Sequence, residues 1–274
     1  MVDSIYRDNL FAGKVALITG GGSGIGARVA REMAKLGATV ALAGRTLSKL
    51  EAVQQQIENE GGKAFSVLCN IRDEESAAKC VEESLKYAGK LDFLINNAGG
   101  QFPSPAQNIS SKGWKAVVET NLNGTFWMSQ QVFNQYFKKH GGAIVNVLVN
   151  LWNGFPLLSH TSAARAGVEN LTKTLSIEWA RYGVRVNSIA PGIIETSGLE
   201  TYEASFREHV YAAKKNNLTY RLGTEAEVAG AMIFLLTPAA QYIVGETLKV
   251  DGGESIYHPL MPPCEHNLLP PLIL

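Results

Sequence analysis

The sequence predicts an α/β protein in which a doubly wound parallel sheet forms the middle of three layers. Short apolar runs alternate with segments of helical period almost to the end of the 274 residues, and the links between them are short. No linker or shift in composition occurs before about residue 257, so we expect a single domain over residues 1–257. A domain of this size buries about three quarters of the surface that the unfolded chain exposes.

The individual elements follow from the length and spacing of the apolar runs. Short apolar runs predict strands at residues 15–19, 39–43, 64–68, 93–96, 143–149, 184–189 and 247–250. Apolar residues at helical spacing predict helices at residues 25–36, 47–60, 74–88, 112–139, 162–182 and 225–236. Gly37 directly follows the first of these helices, as is typical of a helix end.

The last segment, residues 258–274, differs from the rest of the chain. It holds five of the ten prolines: Pro259, Pro262, Pro263, Pro270 and Pro271. Because proline lacks a backbone N–H, this segment is expected to form neither a regular helix nor a central strand. Its apolar end predicts a tail that lies across its own subunit or a neighbour, with a frayed terminus as the alternative.

The composition excludes several classes of partner. Lys plus Arg equals Asp plus Glu at 25 each, which gives no basic surface for nucleic acid or for an anionic membrane. The polar N-terminus argues against a signal peptide, and no apolar run approaches the roughly 20 residues of a membrane helix. Three cysteines without metal-ligand spacing predict no metal site and indicate a reducing compartment. We therefore expect a soluble intracellular protein, in the cytoplasm or in a peroxisomal matrix.

A glycine-rich turn between the first strand and the first helix is the strongest functional signal. Glycines let the backbone approach a pyrophosphate, and the helix N-terminus offers free N–H groups and the positive end of its dipole. The alternative is a plain tight turn, but the strand before it and the helix after it favour nucleotide binding. The predicted contacts are Gly20, Gly22, Ser23, Gly24, Ile25 and Gly26.

The residue after the second strand separates the two nicotinamide cofactors. A carboxylate there would bind the 2′-hydroxyl of NAD, whereas this chain has Arg45, a planar cation that suits the 2′-phosphate of NADP. An arginine solvated in a turn is the alternative. The sequence favours NADPH.

Five motifs in order resemble the short-chain dehydrogenase/reductase family, over roughly residues 10–255. They are Thr19-Gly-x-x-x-Gly-Ile-Gly26, Asn96-Asn-Ala-Gly99, Asn121 in Glu119-Thr-Asn-Leu122, Asn187-Ser-Ile-Ala-Pro-Gly192 and Asp251-Gly-Gly253. The resemblance implies a single Rossmann-type domain and a homotetramer. It also implies cofactor contacts at Asn70, Ile71, Asn97, Ala98, Gly99, Pro191, Gly192, Ile194 and Thr196.

Members of that family carry a catalytic serine, followed by Tyr-x-x-x-Lys. Alignment through the following helix places Thr161 at the tyrosine, Arg165 at the lysine, and Leu148 or Val149 at the serine. Threonine has no phenol to donate a proton near pH 7, and arginine stays protonated. Ordinary interconversion of a carbonyl and an alcohol is therefore not expected.

One subgroup tolerates such losses, and several stretches resemble its peroxisomal trans-2-enoyl-CoA reductases. The most specific are Ser110-Ser-Lys-Gly-Trp114 and Ala164-Arg-Ala-Gly-Val168. The resemblance implies reduction of the double bond of an enoyl thioester in fatty acid metabolism, with an acyl-CoA or another acyl thioester as substrate. Relatives can carry a tyrosine where this chain has Glu169, so that donor is absent too.

The expected roles are a ribose anchor at Arg165, a hydrogen bond from Thr161 to the thioester oxygen, and a water held by Asn121. For other residues near the site, the alternative to a functional role is packing or solvation. They are His160, Trp152, Phe155, Tyr202, Tyr211 and Lys173. Two further enzyme functions stay open, a 2,4-dienoyl-CoA reductase and a pathway-specific reductase of a carrier-bound or cyclic enoyl group. A catalytically inert NADP-binding scaffold is the alternative of another class.

Overall fold

The computed structural model describes residues 6–256, 260 and 264–272. Within them, seven parallel strands form one sheet in the order β3-β2-β1-β4-β5-β6-β9. The strands are β1 Val15–Thr19, β2 Thr39–Gly44, β3 Lys63–Leu68, β4 Phe93–Asn96, β5 Gly142–Val147, β6 Val184–Pro191 and β9 Thr247–Val250. Two short strands, β7 Ile194–Glu195 and β8 Gly223–Thr224, pair in a separate small sheet.

Helices cover both faces of the large sheet. They are α1 Gly24–Lys35, α2 Leu47–Asn59, α3 Glu74–Ala88, α4 Ser111–Val118, α5 Gly124–Val132, α6 Lys138–His140, α7 Ser159–Trp179, α8 Ala204–Ala212 and α9 Glu225–Leu236. Several ends are set by local hydrogen bonds. Asp73 accepts the N–H of Ser76 at the start of α3, and Thr224 and Glu227 form a reciprocal capping box at the start of α9.

The sheet separates two apolar cores. Side chains alternate along β1, so that Ala16 and Ile18 pack with α1, α2 and α9, whereas Val15 and Leu17 pack with α3, α5 and α7. The strand order reverses between β1 and β4, and ligands bind such sheets beyond the carboxyl ends of the strands at this point. The predicted doubly wound, three-layer fold is confirmed.

The helix expected over residues 112–139 is not continuous. Two π-helical turns, Glu119–Asn123 and Phe133–Phe137, separate α4, α5 and α6. Around the first turn, the Thr120 and Thr125 hydroxyls donate to the carbonyls of Ala116 and Asn121 at 2.7 and 3.0 Å. Hydroxyls that bond to the preceding turn bend helices, and an apolar period does not reveal them.

Other element boundaries also differ from the prediction. The fifth strand ends at Val147 rather than at residue 149, and α7 begins at Ser159 rather than at residue 162. The apolar stripe predicted on α7, formed by Val168, Leu171, Leu175 and Trp179, suits core packing and dimer packing alike. Val168, Leu175 and Trp179 are buried in the subunit, and Leu171 is half-buried against the core that contains Leu175 and Trp179. No helix of the described residues is long and apolar enough to cross a membrane.

The described part of the tail runs along residues 218–224 of the same chain. The Arg221 guanidinium donates to the carbonyls of Leu269 and Pro270 at 2.9 and 3.5 Å, and the Thr224 hydroxyl donates to that of Leu272 at 3.2 Å. Three of the five tail prolines, Pro259, Pro262 and Pro263, lie outside the described residues. The division at residue 257 stays a prediction.

Candidate active site

The glycine-rich turn is tied to the end of the neighbouring strand β4. Gly20 has a φ of +68°, and a Cβ there would come within 2.8 Å of the Asn97 amide nitrogen. That nitrogen donates to the carbonyls of Thr19 and Gly20 at 3.0 and 3.3 Å, and the Thr19 hydroxyl accepts the N–H groups of Asn97 and Ala98. A Cβ at Gly26 would overlap the carbonyl oxygen of Gly20. Side chains at Gly20 and Gly26 would therefore clash with the atoms that hold this turn in place.

A cleft of about 290 Å³ lies beside this turn, between the ends of β1, β2, β3 and β4. The predicted residues that line it are Gly20, Gly22, Ser23, Arg45, Asn70, Ile71, Asn97, Ala98 and Gly99. Arg45 is exposed and forms no ion pair with any described residue. Two further cations line the cleft, Lys49 and Arg72, which the motifs did not indicate; Arg72 pairs with Glu119 at 2.5 Å. The cleft is positive where the second strand ends.

The residues predicted around the nicotinamide lie opposite the turn. Gly192 donates to the carbonyl of Val250 at 3.0 Å directly after Pro191, and Ile194 is buried in β7. A Cβ at Gly24 would lie 3.9 Å from the Cβ of Thr196, so the predicted pyrophosphate residues of the two segments face each other. Ile25, in the first turn of α1, packs against the core.

Glu225 is a neighbour of the turn that sequence reasoning missed. Its carboxylate would lie 3.8 Å from a Cβ at Gly24, and burial raises its pKa. The side chain belongs to α9, more than 200 residues further along the chain, and no motif marks it.

Asn121 holds the loop that follows β4. Its amide nitrogen donates to the carbonyl of Gly100 at 2.8 Å, and its amide oxygen accepts the N–H of Gly100 at 3.1 Å. Asn121 lies in the first π-helical turn and is buried. Both ends of its carboxamide are engaged with the backbone, so Asn121 fixes the position of this loop. Its predicted role in holding a water stays a prediction.

Arg165 lies beneath the same loop. It is 5 % exposed, and its Nε and Nη1 atoms have no hydrogen-bond partner among the described residues. A Cβ at Gly99 would collide with the Nη2 of Arg165 and with the amide oxygen of Asn121, so only glycine fits there. Burial lowers the pKa of Arg165 to about 10, and the guanidinium is therefore charged at neutral pH. Nη2 is the guanidinium atom that faces the position of Gly99, which lines the cleft.

Thr161 and His160 form a buried pair at the start of α7. Nδ1 of His160 accepts the N–H of Thr161 at 2.8 Å and lies 3.3 Å from its hydroxyl oxygen. Because a backbone N–H can only donate, the ring is neutral and carries its proton on Nε2. Burial also lowers the pKa of His160. Leu148, one of the two residues predicted at the family's serine position, is buried against Val168 and Ala190.

Residues 101–104 connect this pair to the segments that surround it. Phe102 packs edge-on against His160 with ring centroids 4.5 Å apart, and the N–H of Ser104 donates to the carbonyl of Leu157 at 2.8 Å. The amide nitrogen of Gln101 donates to the hydroxyl of Tyr202 at 2.9 Å. Sequence reasoning did not indicate Gln101, whose partner is 101 residues away.

Some candidates lie away from this arrangement. Lys173 pairs with Glu169 on the exposed side of α7, and Trp152 packs under the ammonium of Lys249. No group of His, Cys, Asp and Glu side chains in the described part of the chain could hold a metal ion.

The sequence pattern of the short chain dehydrogenase family matches residues 14–205. The chain belongs to this family. It is 40% identical over 246 residues to a probable 2,4-dienoyl-CoA reductase [(2E)-enoyl-CoA-producing] of Bacillus subtilis, with 88% of this chain and 96% of the relative covered. It is 38% identical over 253 residues to the peroxisomal 2,4-dienoyl-CoA reductase [(3E)-enoyl-CoA-producing] of Danio rerio, covering 91% of this chain and 84% of the relative.

Among solved structures, a citronellol catabolism dehydrogenase of Pseudomonas aeruginosa PAO1 is similar, with 44% identity and a TM-score of 0.84. That comparison covers 93% of this chain and 100% of the other. The predicted family and its likeness to enoyl-CoA reductases are confirmed, and membership implies a nicotinamide cofactor.

Proposed function

We propose that the protein is an NADPH-dependent reductase of the conjugated double bond of an enoyl thioester. The observation that carries this proposal is a buried, charged Arg165 beside Gly99. The alignment proposed above puts Thr161 in the same site, where carbonyl reduction would need a phenol. The substrate class comes from the relatives, whose names describe 2,4-dienoyl-CoA reductases.

The preference for NADPH rests on the positive end of the cleft. Arg45 would pair with the 2′-phosphate, and Lys49 adds positive charge along the same wall, whereas Arg72 is ion-paired with Glu119. No carboxylate lines this cleft within the described residues, and the neighbouring Glu119 is paired with Arg72.

Arg165 would hold the nicotinamide ribose through the guanidinium nitrogen that faces Gly99, while Asn121 fixes the Gly99–Gly100 loop above it. The bound cofactor would supply a hydride to the β-carbon of the substrate. Negative charge would then develop on the thioester oxygen as an enolate, and hydrogen-bond donors would stabilise this charge until the α-carbon is protonated.

Thr161 would give such a hydrogen bond. Its backbone N–H takes the closer contact with Nδ1 of His160, at 2.8 Å against 3.3 Å for the hydroxyl. The hydroxyl hydrogen can therefore turn to a substrate oxygen. Thr161→Val should slow enoyl reduction and leave the Kd for NADPH unchanged; Thr161→Ser is the matched control, because it keeps the hydroxyl. Equal turnover in the valine variant would contradict this role for Thr161.

A 2,4-dienoyl thioester is the second candidate substrate, because the relatives named above act on it by name. The same donors serve both substrates, since conjugation only extends the charge over more carbons. Rates with crotonyl-CoA and with a 2,4-dienoyl-CoA decide between them. If the unmutated protein neither bound NADPH nor reduced any of these thioesters, the proposal would be contradicted. NADPH binding without turnover would indicate a scaffold.

We also propose a homotetramer. Large apolar side chains remain on the surface of the subunit, among them Ile177 on α7, which is 81% exposed, and Tyr242, which is fully exposed. Burial of these side chains against neighbouring subunits would remove them from water. Light scattering at micromolar concentration tests this, and a monomer would contradict it.

A further inference from the structure

The proposed reaction needs a proton donor that the family's usual residues do not supply. Hydride addition leaves an enolate whose α-carbon must be protonated, and Thr161 lacks a phenol. We infer that Tyr202 supplies this proton. The inference rests on the proposed function.

The position of Tyr202 is set by its contact with Gln101. The amide nitrogen of Gln101 reaches the phenol oxygen at 2.9 Å. On one side of Gln101, the Gly100 backbone is held by Asn121; on the other, Phe102 packs against His160. The phenol therefore lies over the loop that connects the two halves of the candidate site.

The direction of this hydrogen bond leaves the proton of Tyr202 free for another group. The amide nitrogen of Gln101 can only donate, so the phenol oxygen accepts and its own hydrogen can point elsewhere. The ring of Tyr202 is fixed edge-on against Phe206 at 5.1 Å. The side chain is half-buried, so solvent can restore its proton after each turnover.

The other candidate donors are placed less well. His160 is fully buried behind Phe102, is neutral because Nδ1 accepts the N–H of Thr161, and has its pKa lowered by burial. Tyr211 is 37% exposed on α8, and its side chain has no hydrogen-bond or ring partner among the described residues. Glu169 pairs with Lys173 on the far side of α7.

Protonation by Tyr202 completes the reduction with no reagent besides NADPH and water. The β-carbon gains a hydride from NADPH, and the electrons of the double bond move to the thioester carbonyl to form the enolate. When the enolate collapses, the O–H bond of Tyr202 breaks, a C–H bond forms at the α-carbon, and the phenolate takes a proton from water. The product is the saturated thioester with NADP⁺.

An α-methyl enoyl-CoA tests this step, because a fixed donor protonates one face and makes one enantiomer, whereas bulk water reaches both. In Tyr202→Phe, turnover should fall by about 10²-fold or more, and the product should become a mixture of enantiomers. The Kd for NADPH should stay unchanged. The matched control, Tyr211→Phe, removes a hydroxyl from the same segment and should behave as the unmutated protein.

Gln101→Leu separates proton donation from a purely structural link between the two segments. It removes the same hydrogen bond, so we expect a raised KM, with a single enantiomer retained. Two results would overturn the inference: a Tyr202→Phe enzyme that keeps its rate and one enantiomer, or a Gln101→Leu enzyme that reproduces every loss of Tyr202→Phe. If the unmutated protein reduced no enoyl thioester, the proposed function itself would be wrong. This result differs from failure of the Tyr202 inference, in which the unmutated protein is active.

Discussion

Replacement of Arg165 by methionine should stabilise the protein without cofactor and weaken cofactor binding. Burial lowers the pKa of this guanidinium to about 10, more than two pH units below its ordinary value. Since each pH unit corresponds to about 1.4 kcal/mol, the charged form carries a penalty of about 3 kcal/mol at neutral pH. No carboxylate compensates it, because Arg165 has no ion-pair partner among the described residues.

Methionine keeps a long unbranched side chain and removes the charge, so part of that penalty is recovered. Apolar replacements of buried charges can raise the free energy of unfolding by about 1–4 kcal/mol when the packing is preserved. We expect Arg165→Met to raise the free energy of unfolding of the cofactor-free protein by about 1–3 kcal/mol in urea titrations at pH 7. Arg165→Lys is the control, because it keeps a buried cation and should gain nothing.

The same variant should lose the stabilisation that NADPH gives to the unmutated protein. A ligand that binds only the folded state raises its stability in proportion to RT ln(1 + [L]/Kd), so the rise in Tm on adding NADPH should shrink in Arg165→Met. A methionine variant that is less stable without cofactor, or that gains as much from NADPH as the unmutated protein, would refute this account of Arg165.

Two further outcomes follow from the site. Arg45→Asp should weaken NADPH binding at least tenfold, about 1.4 kcal/mol, while NADH binding suffers much less; equal losses in titrations with both cofactors would argue against Arg45 as the phosphate contact. His160, whose pKa burial lowers, binds fewer protons when folded than when unfolded, so the free energy of unfolding should fall as the pH drops below about 6.5. In His160→Asn, which keeps an acceptor near Nδ1, this acid-dependent loss should be smaller in urea titrations at pH 5 and 7, and an unchanged slope would contradict the assignment.

Local sequence patterns were enough to predict the sheet and the nucleotide turn. An apolar run followed by Gly20–Gly26 and a helical period favours a strand, a tight turn and a helix, and β1, the turn and α1 lie as expected. The π-helical turn after α4 was missed because it leaves the apolar period undisturbed, and the Thr120 and Thr125 hydroxyls that bond to backbone carbonyls beside it have no signature in that period.

The catalytic half of the site was only partly predictable. Alignment placed Arg165 at the site, but its burial and its fit against Gly99 depend on how β4 and α7 meet in space. The hydrogen bond between Gln101 and Tyr202 joins two loops with no shared pattern, so no window of sequence could reveal it. Nor could the spacing on α7 distinguish a core stripe from a dimer stripe.

The most direct test of the proposed function compares NADPH oxidation with crotonyl-CoA or a 2,4-dienoyl-CoA against oxidation with acetoacetyl-CoA. Ketone reduction leaves an alkoxide that needs a matched acid at oxygen, and absence of such a donor costs about 10²–10⁴ in rate. We predict turnover with the enoyl or dienoyl thioester and a rate lower by at least about 10² with acetoacetyl-CoA. Reduction of acetoacetyl-CoA at a rate similar to that of the enoyl thioester would contradict the proposed function. It would show that another residue protonates the carbonyl oxygen in place of the phenol that Thr161 lacks.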